Sequence, residues 1–120
     1  MEDVHEMLTV FKAEFPGLYE RIEASGHALH EQGGPLDERM RALLKVAISA
    51  ASHHQRALET HVVAAREAAL TEAEIVHALL LVIPTCGFPT FMEAYSTYKL
   101  TFRTSRSRYT PPPQLAPAPV

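Results

Sequence analysis

Apolar residues recur at the 3.6-residue period of a helix along most of this chain, and proline and glycine fall in a few short breaks. Together these leave an all-α fold as the expectation. Val4, Met7, Leu8 and Phe11 follow the i, i+3, i+4, i+7 pattern of an amphipathic helix. Phe15-Pro16 interrupts it, because the residue before proline is pushed out of the helical region. Pro16 suits the first turn of a second helix, which continues through Leu18 and Ile22. Gly33-Gly34-Pro35 ends that helix and forms a loop. No strand alternation of useful length and no internal repeat is present.

Asp37 can cap a third helix, whose buried face is expected to be Met40, Leu43, Leu44, Ala47 and Ile48. Ala50-Ala51-Ser52 reads as a tight break. Ser52 followed by Gln55 is a candidate capping box, opening a fourth helix over residues 52–69. Thr71 and Glu74 form a second capping box. The helix after it is expected to reach residue 83 and to be buried on most sides, because positions 75–83 are apolar except His77. Residues 84–89 (Pro-Thr-Cys-Gly-Phe-Pro) read as a compact connector. Phe91, Ala94, Tyr95, Tyr98 and Leu100 mark a last helix to about residue 104. From Pro111 onward five prolines in ten residues cannot build a core, and that tail is expected to be disordered. The expected organisation is one domain of five or six helices over residues 1–104, with a Pro-rich tail over 105–120.

A chain of 120 residues with 47% hydrophobic content can build one modest core, and an oligomer is the usual way to add burial. The net charge of -3 is spread along the chain, and no basic stripe points to nucleic acid. Arg103, Arg106 and Arg108 beside Tyr109 read as the solvated start of the tail. The first ten residues lack the cationic start and apolar run of a signal peptide, so a cytoplasmic location is expected. No apolar run approaches the roughly 18 residues of a membrane span. The one cysteine, Cys86, excludes an intramolecular disulfide, and its expected role is that of a small buried thiol.

The chemistry is concentrated in residues 52–61, Ser-His-His-Gln-Arg-Ala-Leu-Glu-Thr-His. His54 and His61 are seven residues apart. At about 100° per residue they leave the same side of a helix. That side is otherwise apolar, with Ala57, Leu58, Ala65 and Ala68. Ala57, one turn before His61, leaves room beside the rings. With Ser52 as the cap, His53 and His54 would be the first helical residues, where the helix dipole disfavours imidazolium. Neutral imidazole can accept a proton or bind a metal. His53 points away and is expected to be exposed, whereas His77 is a candidate for the same pocket. Metal ligation is the weaker pattern. Residues seven apart rise about 10.5 Å along a helix, so a metal would need His77, His53 or a neighbouring subunit.

The order of these signals resembles a known family. Phe15-Pro16, then residues 34–37 (Gly-Pro-Leu-Asp), then His61 with the alanine-rich run after it, then residues 71–75 (Thr-Glu-Ala-Glu-Ile), then Gly87-Phe88-Pro89 look like the carboxymuconolactone decarboxylase family. That family includes the alkyl hydroperoxidase D-like (AhpD-like) proteins. The resemblance covers about residues 11–100. It implies an all-helical fold assembled as trimers or hexamers, with the active site near subunit contacts. Peroxidase members carry Cys-x-x-Cys-x-x-x-His. With the motif histidine on His61, His54 falls on the first cysteine, Ala57 on the second, and Ala42 on a glutamate twelve residues before the first. Thiol–disulfide exchange needs an attacking thiolate and a resolving partner, so a cysteine-pair peroxidase is excluded. The decarboxylases of the family lack the cysteine pair too, and support His61 but not His54.

The leading expectation is a non-redox lyase or isomerase acting on a small carboxylate or lactone. His61 is its general acid or base, and His54 is the second proton carrier or an orienting donor. Arg56 or Arg66 is a candidate to hold a carboxylate. No cofactor is expected, and the expected partners are the small-molecule substrate and further copies of the chain. One alternative is a divalent transition metal held by His54, His61 and His77. Another is a non-catalytic oligomeric scaffold.

Overall fold

The computed structural model describes residues 4–104, with side chains over 6–101. The proline-rich tail and the expectations for Arg103, Arg106, Arg108 and Tyr109 lie outside these bounds. Among the described residues there are helices and no strand: α1 (Val4–Glu14), α2 (Pro16–Gln32), α3 (Glu38–Ala51), α4 (Gln55–Glu67), α5 (Glu72–Leu80), α6 (Val82–Cys86) and α7 (Phe88–Thr104). Only Leu81 separates α5 from α6. Backbone contacts divide the chain into two units, one up to Leu36 and one from Asp37 onward.

The first unit is a helical pair. Phe15 leaves the helical region at φ -134°, ψ 62°, and Pro16 opens α2 as the sequence pattern requires. Phe11 packs against Phe15 and Tyr19 with ring centroids 5.5 and 6.3 Å apart. Lys12 lies 5.5 Å from the centre of the Tyr19 ring. No residue of α2 is buried, and Leu18, Ile22 and Leu29 are exposed.

The second unit holds the core. Val46 of α3, Leu58, Val62 and Ala65 of α4, Ile75 and Leu79 of α5, and Ala94 and Tyr98 of α7 are all essentially inaccessible. Asp37 caps α3 by accepting from the Met40 amide at 2.8 Å. Thr71 and Glu74 close the expected capping box on α5. Arg39 ties the two helix starts together, its Nη2 lying 2.7 and 2.9 Å from the Glu74 carboxylate oxygens.

The structure departs from the sequence reading in four places. The buried face of α3 is Val46, Ser49 and Ala50, with Leu43 partly buried, whereas Met40, Leu44 and Ile48 are exposed. The helix has apolar residues nearly all round, and one chain covers only one of its two stripes. The break after α3 falls later than residues 50–52. Alanine favours helix and Ala50 is buried, so α3 runs on through Ala51. Ser52 is then its C-cap rather than the N-cap of α4, and no Ser52–Gln55 capping box forms.

The third departure is in residues 75–83, which are buried on one side only. Leu80 and Leu81 are exposed, as is His77. The fourth is the connector at 84–89, which shrinks to a single residue. Pro84 and Pro89 each sit in the first turn of a helix, where proline needs no amide partner. Gly87 alone breaks the chain, at φ 97°, ψ 158°, a conformation that is essentially glycine-only.

Candidate functional site

The turn between α3 and α4 places the histidines. His53 has φ 61°, in the left-handed region that costs most residues free energy, although histidine is among those enriched there. This reversal lets α4 start at Gln55, with His54 as its N-cap, exposed and making no side-chain cap bond. His54 and His53 are therefore outside α4. The expectation that His54 shares an apolar helical face with His61 does not hold, because the face geometry applies only inside the helix. His61 does lie two turns into α4 and is half-buried. Leu58, Val62 and Ala65 around it in sequence are buried, and Ala57 is half-buried one turn earlier.

His53 is exposed as expected, but it has a partner. Its Nδ1 lies 2.8 Å from Oε2 of Glu93 on α7. An ionised carboxylate only accepts, so the proton of this bond is on the ring nitrogen. The same two segments are joined a second time, because the Thr97 hydroxyl bonds Oε1 of Gln55. Thr97 is buried and stands one turn beyond Glu93, whose carbonyl it also contacts at 3.1 Å. Two contacts thus fix the turn against α7.

Helix α3 contributes the face carrying Ala42, Lys45 and Ser49, spaced i, i+3, i+7. Ser49 is buried and bonds the Lys45 carbonyl at 2.7 Å. Lys45 is half-buried; that burial, and then the charge of Arg41, hold its ammonium below the usual lysine value. A half-buried cation is suited to a carboxylate. The two arginines considered for that task are placed otherwise. Arg56 is exposed, and Arg66 Nη1 donates to the Leu70 carbonyl at 2.8 Å, closing the end of α4.

His77 sits on an exposed part of α5, and Cys86, exposed at the end of α6, is not the buried thiol expected. Among the described residues no three His, Cys, Asp or Glu side chains come close enough to hold a metal ion. His54, His61 and His77 of one chain therefore do not form a ligand set. No described helix is long and apolar enough to cross a membrane.

Sequence reasoning missed Lys45 and Glu93. Lys45 had a signal, its spacing of three from Ala42. Glu93 and Thr97, four apart on α7, also shared a face, but nothing local told which turn that face would meet.

These features define an all-helical domain with a half-buried histidine, His61, on α4 and an alanine one turn before it. The chain belongs to the carboxymuconolactone decarboxylase family, whose model matches residues 16–98, from the start of α2 to near the end of α7. A search of curated proteins returns no match.

Proposed function

We propose that this chain is a non-redox lyase or isomerase that moves protons on a small carboxylate or lactone, with His61 as general acid or base. One observation carries the reading: His61 is half-buried on the core side of α4, while the position one turn before it is Ala57. Alanine removes thiol chemistry and sets only a methyl group one turn before the imidazole, a group able to give or take a proton. Lys45, a half-buried cation on α3, is the group assigned to hold the substrate carboxylate. His54 stands at the start of the same helix as a second donor or acceptor. The test is a screen of small lactones and keto acids, with His61→Ala beside the wild type. Turnover lost in the variant supports the reading, and full activity in it rejects the reading.

A second feature of the same proposal is self-association. Helix α2 buries none of its residues, and Met40, Leu44 and Ile48 form an uncovered stripe on α3. Apolar faces left open on so small a chain are of the kind that further copies cover. Light scattering at micromolar concentration decides: a monomer there removes this part of the proposal.

A further inference from the structure

The His53–Glu93 pair lies outside the motif that ends at His61, and its geometry is that of an oriented base. Glu93 Oε2 holds Nδ1 at 2.8 Å. In the neutral ring this bond puts the proton on Nδ1 and leaves the lone pair on Nε2. His53 and Glu93 side chains are each more than half exposed, so a small solute can reach the ring. The backbone adds a second observation. At φ 61° glycine would be free of strain, yet the chain carries a large titratable side chain there. A third is the Thr97–Gln55 bond, which holds the turn and α7 in register and so fixes the separation of the two partners.

We propose that His53, oriented by Glu93, is the proton-accepting base of the site, in the place that sequence spacing gives to His54. The inference rests on the acid–base reading above. The substrate class is a small carbonyl compound with an acidic C–H next to the carbonyl. Nε2 takes that proton: the C–H bond breaks, its electron pair stays on the substrate as an enolate, and an N–H bond forms. Glu93 goes on accepting from Nδ1 while Nε2 takes the proton. Returning the proton to another carbon of the enolate system completes an isomerisation with no other reactant.

The test uses the full chain and two probes. In long-range proton–nitrogen NMR spectra of the neutral ring, His53 of the wild type carries its proton on Nδ1, and Glu93→Ala shifts it toward the Nε2–H form. Diethyl pyrocarbonate, followed by mass spectrometry at neutral pH, acylates His53 several-fold faster than the exposed His27 and His54. Glu93→Ala brings His53 down to their rate. A wild-type ring protonated on Nε2, or acylation of His53 no faster than theirs, overturns the proposal. In the lactone and keto-acid screen, His53→Gln loses at least tenfold in kcat with KM little changed, and an unchanged kcat also overturns it. If nothing in that screen is turned over, the acid–base reading falls, while tautomer and acylation rate still decide whether His53 is an oriented base.

Discussion

Arg39 and Glu74, thirty-five residues apart, meet at 2.7 Å across the starts of α3 and α5, and Glu74 at the same time accepts from the Thr71 amide at 2.9 Å. The carboxylate thus serves a cap and an ion pair together. The Thr71 amide bond is the first cause of a Glu74 pKa below the usual glutamate value, with the Arg39 contact adding to it against a counteracting desolvation. A depressed folded-state pKa means that the stabilisation is present above the unfolded value of about 4.3 and is lost as pH falls through the folded one. Glu74→Gln should therefore lower the urea midpoint at pH 7, and the gap to the wild type should close in acid. A gap that persists at pH 2 would show that the loss is not electrostatic.

Thr71→Ala removes the side chain that accepts from the Glu74 amide at 3.0 Å. The expected cost is about 1 kcal/mol. Urea unfolding at neutral pH measures it.

His53→Gly sets two small effects against each other. Glycine relieves a left-handed conformation worth roughly 1–2 kcal/mol, while the exposed pair with Glu93 contributes roughly 0–1 kcal/mol. The variant should be as stable as the wild type or slightly more so. His53→Val, β-branched at the same φ, should be clearly less stable. A His53→Gly protein that unfolds well before the wild type would show that the pair is structural.

Gly87 has no such freedom of exchange. At φ 97°, ψ 158° any side chain is strained, so Gly87→Ala should cost about 1–3 kcal/mol even though the nearest atom to a new Cβ, in Pro89, is 3.8 Å away. The space is open and the backbone alone carries the penalty. A thermal melt separates this from a neutral change.

Ile48 is 61% exposed on the uncovered stripe of α3. Ile48→Glu should leave the unfolding free energy of a single chain within about 0.5 kcal/mol. It should shift the light-scattering mass toward the monomer. An unchanged mass would place any contact between copies elsewhere.

Helix boundaries set by chemistry within four residues were legible in the sequence: Pro16 opening α2, Asp37 on α3, and Thr71 with Glu74 on α5. The α4 stripe was legible too, with Leu58 and Ala65 buried and Ala57 and Ala68 half-buried. The break before α4 was not, since Ser52-x-x-Gln55 satisfied a local rule while Ala50 gained more by staying helical in the core. That error of two residues moved His54 off the helix and turned a shared face into a cap. The α3 face was missed for a related reason. Met40, Leu44 and Ile48 fit the period as well as Leu43, Val46 and Ala50 do, and only tertiary packing chooses between them. The partner of His53 lies forty residues away, beyond the reach of spacing rules.

Helix α4 is bounded by two residues other than glycine with positive φ, His53 at 61° and Ala69 at 67°, while Leu58, Val62 and Ala65 between them are wholly enclosed. Its rigidity is graded along its length. Amide exchange should be slowest at the middle, where opening requires the core to open, and fast at the two reluctant turns. His61 is mounted on the enclosed stretch, and His53 on the turn at its edge, which the Glu93 and Thr97–Gln55 contacts tie to α7.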